Sequence, residues 1–191
     1  MIDLDVPVNL VTFVAVDIET TGLDHHRDEI VEIGAAMVRG GRVVDDLSTL
    51  VYVDRTIPFQ ASRVSGIRND MLVGAPRIEA AMAMLLGFCA DGVMAEHSYK
   101  AFDVNFLERA YGARFDHFVN TCTLSRLLFP NIRKHSLEEC CRRYHVTNQN
   151  QHRAAADARA TAEVLIYLLK VGGSRFPRLS DLLRIAAVER N

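Results

Sequence analysis

No two cysteines stand at the C-x-x-C spacing of a structural zinc site; the four are Cys89, Cys122, Cys140 and Cys141. Cys89 shares an apolar helical face with Ile78, Ala81, Met82 and Leu85. Cys140 and Cys141 share another with Leu137 and Tyr144. Reduced thiols packed in a core are therefore expected. Long apolar runs are missing too. The longest, around Met82–Leu86, falls far short of the roughly 20 residues of a membrane span. The opening MIDLDVPVNL carries Asp3 and Asp5 but no basic segment, so a secretory signal is not expected. These absences lead to the expectation of a cytoplasmic protein with no membrane partner. Repeats and low-complexity segments are lacking, and so is any excess of positive charge. The net charge is −2, which by itself argues nothing for nucleic acid.

What is present suits a single domain: 191 residues, 49% hydrophobic and 24% charged, enough to bury a sizeable core. Three strand signals come first, over 12–17, 29–38 and 42–53, with Gly40-Gly41 as a tight hairpin turn. Short helical pieces follow near 61–65 and 69–72, then a helix from Pro76 to Ala90. The pattern next predicts a strand at 92–95, a helix at 102–111, a strand at 118–120, and a helix capped by Thr121 or Thr123 that ends before Pro130. Helices are expected at 136–144 and 153–170. Gly172-Gly173 breaks the chain before a last helix at 181–188, capped by Ser180. Three antiparallel strands followed by strand–helix alternation indicate an α/β domain with a mixed sheet over residues 1–171, and 172–191 form a short C-terminal helical extension.

Charge is unevenly spread. Residues 126–159 hold seven basic side chains against three acids, whereas residues 1–125 hold ten against eighteen. Such a basic segment suits either a phosphate backbone or a solvated helix face.

The unusual feature is a set of acids in apolar surroundings. In VAVDIETTGLD, Val14, Ala15, Val16 and Ile18 read as a buried strand interrupted by Asp17 and Glu19. Residues i and i+2 of a strand point the same way, with Cα atoms about 6.5–7 Å apart, so the two carboxylates repel and resist desolvation. Asp157 lies within the stripe Ala154, Ala158, Thr161, Leu165, Leu168, and Asp103 within the stripe Phe106, Leu107, Ala110. Taken singly, Asp103 could be a first-turn acid favoured by the helix dipole, and Asp157 could pair with Arg153 or Arg159. Converging, the four would form an oxygen-rich site of charge −4, which two hard divalent cations, Mg²⁺ or Mn²⁺, would neutralise. Two such ions suit an in-line phosphoryl displacement. His152, five residues before Asp157, is a candidate general base for a nucleophilic water.

These segments resemble the DEDDh 3′–5′ exonucleases, a DnaQ-like family that includes the proofreading epsilon subunit of bacterial DNA polymerase. The likeness runs from VDIETTGLD through VSGI, DMLVGAP, the Phe102-Asp103 pair, TCTLSRLLFP and HSLEECC to HRAAADA. It implies a ribonuclease H-like fold, a mixed five-stranded sheet flanked by helices. It makes Asp17, Glu19, Asp103 and Asp157 metal ligands and His152 the base. Thr20, Thr21, Gly22 and Leu23 would hold the 3′-terminal nucleotide, with Leu23 wedged against the bases and Phe102 beside the terminal sugar or base. Two departures stand out. The family pattern His-Asn-x-x-Phe-Asp becomes His97-Ser98-Tyr99-Lys100-Ala101-Phe102-Asp103, one residue longer and without the Asn, and the usual His of V-H-G-I is Ser65.

The expected activity is hydrolysis at single-stranded 3′ ends to nucleoside 5′-monophosphates, with DNA favoured over RNA. The rivals are an RNA-end exonuclease and a non-catalytic nucleic-acid-binding or polymerase-scaffolding subunit. A DNA polymerase partner is possible, but a stand-alone enzyme is preferred, because only about twenty residues follow Gly172 and Leu179, Leu182, Leu183 and Ala186 are expected to dock on their own domain.

Overall fold

The computed structural model describes residues 2–90 and 92–186. Strand β1 (Phe13–Thr20) is the third of five, in the order β3-β2-β1-β4-β5. β2 (Ile30–Arg39) pairs antiparallel with β1 and with β3 (Arg42–Leu50), and Gly40 and Gly41 turn the hairpin at φ 59° and 72°, where only glycine is unstrained. β4 (Val93–Glu96) lies parallel to β1, and β5 (Phe118–Asn120) parallel to β4. The mixed five-stranded sheet is the one the family resemblance implies.

The helices are α1 (Phe59–Ser65), α2 (Ile78–Cys89), α3 (Phe102–Tyr111), α4 (Thr121–Leu128), α5 (Leu137–Tyr144), α6 (Ala154–Gly172) and α7 (Leu179–Ala186). Strand alternation sorts β1 between two cores. Phe13 and Ala15 face the side of α6, among Leu165 and Leu168. Val14, Val16 and Ile18 face α2 and α3, among Leu85 and Leu107. Asp17 and Glu19, in phase with Ala15, thus point to the α6 side at the carboxyl end of the strand, the end where open α/β sheets bind ligands.

The four cysteines are free and buried, as expected of core thiols. Phe176, Leu179, Leu182 and Ala186 belong to the same core as α6, so the described part of the segment after residue 172 packs on its own domain. Among the described residues, no helix is long and apolar enough to cross a membrane.

Several expected boundaries move. β1 runs three residues past Asp17, which puts both of its acids inside the ladder. β3 stops at Leu50; the Val51 amide still meets the Val31 carbonyl, and the Tyr52 amide, on the outer edge, donates to the Pro76 carbonyl. That bond keeps Pro76 outside α2, which starts at Ile78. The cap of α4 is Asn120, not Thr121 or Thr123: its side-chain oxygen accepts from the Thr123 amide at 2.9 Å. Ser180 lies inside α7 rather than capping it, and Val188, the expected end, lies outside the described residues.

Part of the basic segment is paired within the protein. Arg142 pairs with Glu139, Arg153 with Glu32 and Arg159 with Asp46, so the count of charges overstated what a phosphate backbone could meet.

Candidate active site

Placement of α6 decides the site. Gly34 of β2, opposite Asp17 in the ladder, is where the first turn of α6 meets the sheet. A Cβ on Gly34 would lie 2.2 Å from the carbonyl carbon of Ala154, a backbone atom that cannot swing aside. Glu32, opposite Glu19 and only 1% exposed, fixes the same turn. Its carboxylate accepts from Arg153 Nε at 3.1 and 3.2 Å, from Arg153 Nη2 at 2.7 Å and from the Ala154 amide at 3.0 Å. A forked guanidinium and a helix-start N–H together satisfy the buried charge.

Held this way, α6 presents Asp157 one turn in, over β1. Oδ2 of Asp157 accepts from the His152 amide at 2.9 Å and Oδ1 from the Asn148 side chain, so Asp157 pairs with neither Arg153 nor Arg159. Ligand atoms of Glu19, His152 and Asp157 lie within 4.8 Å of one another. His152 itself is exposed and has φ 62°.

Gly34→Ala is expected to lower stability by about 1–3 kcal/mol, the usual cost of overpacking, and to weaken Mn²⁺ binding by displacing Asp157. Urea unfolding and Mn²⁺ titration check both effects, and an unchanged affinity would separate α6 docking from the site.

Asp103, 4% exposed, enters from the first turn of α3. Beside it lies a fifth acid, Glu96, at the end of β4 and fully buried. Glu96 accepts from the Val104 amide at 3.2 Å and from Asn120 Nδ2 at 3.0 Å, tying α3 and β5 to β4. Burial is the main cause that pushes both acids upward, and the Glu96 charge beside Asp103 raises Asp103 further.

Burial is also the main reason that Asp17 holds its proton well above the usual carboxylate range, with repulsion from Asp103, Asp157, Glu19 and Glu32 adding to it. Glu19 is pushed up to about 8 by burial first, then by Asp157 and Glu32, with Arg153 opposing. The structure brings the four sequence-selected acids and His152 into one cluster.

The turn after β1 shows how the other selected residues lie. Thr20 Oγ1 donates to the Gly22 carbonyl at 2.5 Å. Thr21 is buried, its hydroxyl donating to Asp28 and accepting from the Glu29 amide, while its own amide donates to the Glu29 carbonyl. Its polar groups are thus spent on turn shape. Gly22 packs against the Asp28 carboxylate, leaving Leu23 86% exposed at the rim. The Phe102 ring sits 5.0 Å from that of Phe106.

At the two departures, His97 and Ser65 are held by structural contacts. His97 Nε2 meets the His135 carbonyl and Nδ1 meets Thr121 Oγ1, each at 2.8 Å, and burial pushes the imidazole down to about 4. Ser65 Oγ donates to the Ala61 carbonyl and accepts from the Ile67 amide.

Glu32, Glu96, Asn148 and Asn120 were not among the selected residues. Glu32 in IVEIGAA and Glu96 in VMAE carry the signal that exposed Asp17, an acid in a buried strand; the asparagines carry none.

The profile of the RNase_T exonuclease family matches residues 14–165. The chain belongs to this exonuclease family. It is 35% identical over 164 residues to the DNA polymerase III subunit epsilon of Aquifex aeolicus, covering 83% of this chain and 81% of the relative. It is 34% identical to the PolC-type DNA polymerase III of Thermotoga maritima over 90% of this chain, but spans only 13% of that larger relative. Among solved structures it is similar to Exonuclease X in complex with 5′-overhanging duplex DNA: TM-score 0.73, 26% identity, 92% of this chain and 98% of that one. Exonuclease I of E. coli in complex with a dT13 oligonucleotide shares the fold at TM-score 0.74 and 16% identity, over 85% of this exonuclease and 42% of that chain. The family and the acid cluster together make this protein a 3′–5′ exonuclease with a ribonuclease H-like fold.

Proposed function

We propose that this exonuclease releases nucleoside 5′-monophosphates one at a time from free 3′ ends of single-stranded DNA, using two divalent cations, Mg²⁺ or Mn²⁺. The observation that carries the reading is the convergence of Asp17, Glu19, Asp103 and Asp157, from three separate segments, on one charged cluster beside His152. The donor set fits hard cations: its acids are carboxylates, and their mutual repulsion is the cost that a divalent charge would offset. Asp17, Glu19, Asp103 and Asp157 are assigned as the holding residues. When bound, the ions would supply stabilisation of the charge that builds on the attacking and leaving oxygens.

The chain's own residues perform the rest. The Thr20–Leu23 turn and Phe102 hold the terminal nucleotide, with Leu23 set against the neighbouring base. His152 takes a proton from the water that attacks the last phosphodiester phosphorus. The bond from that phosphorus to the 3′-oxygen of the preceding nucleotide breaks, and that oxygen takes a proton from solvent. The products are a nucleoside 5′-monophosphate and a strand with a new 3′-hydroxyl.

The DNA preference is supported by the epsilon-subunit relative and by the DNA-bound Exonuclease X. The same relatives support a cytoplasmic site of action and leave a polymerase partner as a second expectation. A strand with a free 3′-hydroxyl is expected to be shortened stepwise, whereas 3′-phosphorylated and circular strands resist. End-labelled DNA and RNA of matched sequence, resolved by product length, test this. Cleavage of the circle at a comparable rate would make the enzyme an endonuclease, and faster loss of RNA would reverse the substrate preference.

A further inference from the structure

The segment between β4 and α3 departs from the family pattern, and neither catalysis nor terminal-nucleotide binding uses it. It lines a groove of about 680 Å³ that Leu23 and Phe102 share with Tyr99, Lys100 and Arg114. A strand whose last nucleotide lies at Leu23 and Phe102 therefore has this groove beside it for the nucleotides that precede the end.

The loop is pinned from below. Ser98 Oγ accepts from the Phe102 amide at 2.9 Å, and the Ser98 carbonyl accepts from Asn120 Nδ2 at 3.1 Å. Ala101, left-handed at φ 56°, is buried. Tyr99 and Lys100 project from this fixed base. Tyr99 is 63% exposed, and its ring is backed by the Arg126 guanidinium, 4.6 Å from the centroid. An exposed aromatic ring held in place by a cation is a platform for a nucleobase, since every base offers a π-face. Lys100 has φ 63°, a conformation that glycine or asparagine adopts at less cost, yet a long cationic side chain occupies it. The groove's cations, Lys100, Arg109 and Arg114, outnumber its one acid, Glu108, on a protein of net charge −2.

We propose that Tyr99 and Lys100 form a subsite for the nucleotides immediately 5′ of the terminal one, Tyr99 stacking on a base and Lys100 meeting a phosphate. This rests on the exonuclease reading above and adds to it a contact that depends on strand length.

Two substrates separate the terminal site from the subsite. Thymidine 5′-(4-nitrophenyl) phosphate fills the terminal site alone, and single-stranded oligothymidylates of two to eight nucleotides reach further. Tyr99→Ala is expected to raise KM roughly 10-fold for strands of three or more nucleotides, while kcat and KM for the nitrophenyl ester stay put and Tyr99→Phe behaves as wild type. Lys100→Gly relaxes the backbone, so folding is safeguarded. It is expected to flatten the dependence of log affinity on log salt by about 0.7, the contribution of one single-strand phosphate. Anisotropy of a labelled dT8 in Ca²⁺ reads that affinity without turnover. Equal losses on ester and oligomer would overturn the proposal by making the loop a mere support, and so would no change on either. If wild type hydrolyses strands but Tyr99→Ala matches it, only the subsite falls. A wild type that hydrolyses neither substrate overturns the exonuclease reading itself, and dT8 binding that ignores both substitutions then overturns the subsite as well.

Discussion

Asp17→Asn is expected to abolish nuclease activity and at the same time to raise the melting temperature of the metal-free protein. Both effects follow from one cause. Asp17 faces Asp103, Asp157, Glu19 and Glu32, and in the absence of a cation each of these opposes its charge. An amide of the same shape keeps the packing and removes the charge. For a chain of this length each kcal/mol gained raises the melting temperature by about 2–4 °C.

The pH dependence has an unusual sign. Glu19 has an ordinary value of 4.5 and is held at about 8 in the folded chain, mainly by burial. Between those values the folded state binds more protons than the unfolded one, so the metal-free protein loses stability as pH rises through that window. A carboxylate stabilised by an ion pair does the opposite. Mn²⁺ competes with those protons, so its stabilising effect is expected to grow over the same range, reaching about 2.7 kcal/mol at one hundred times its Kd. Melting curves of wild type and Asp17→Asn, with and without Mn²⁺ from pH 5 to 8, test all of this. A wild-type melting temperature indifferent to Mn²⁺ would remove the main support for the metal reading.

His152→Ala is expected to cut turnover by roughly 10²–10⁴-fold, the range for a lost proton acceptor, with Mn²⁺ affinity nearly unchanged. Asp157→Ala is expected to lose turnover and affinity together. The separation is not trivial, because ligand atoms of Glu19, His152 and Asp157 lie within 4.8 Å of one another, close enough for the imidazole to join a coordination sphere. Removing it leaves the backbone bond from the His152 amide to Asp157 available, so the carboxylate keeps its orientation. Calorimetric Mn²⁺ titrations beside single-turnover rates decide the matter. Equal losses of metal in both variants would make His152 a ligand rather than the base.

Local pattern determined much by itself. The helix 102–111 and the strand 118–120 lie where periodicity and turn residues put them, since both depend on neighbours a few positions away. The four acids were likewise legible, because a charge in an apolar stripe is costly and needs a reason, and His152 only through its nearness to Asp157 and the family resemblance. Glu32 and Glu96 carry the same signal but are not among the acids selected from sequence, and nothing in a linear pattern says what answers them. Glu32 is met by Arg153, 121 residues away, and Glu96 by Asn120 and the start of α3. The α4 cap escapes the sequence for a similar reason: Asn120 ends β5, and only the geometry shows its side chain turning to the helix. Apparent surplus charge near Arg153 and Arg159 shrinks once their distant partners, Glu32 and Asp46, are in place. Sequence thus determined which residues are expensive, because the cost of burying a charge is local. Tertiary structure alone decided that they share one site, because Gly34 lets α6 approach the sheet and the β1–β2 register sets which carboxylates face it.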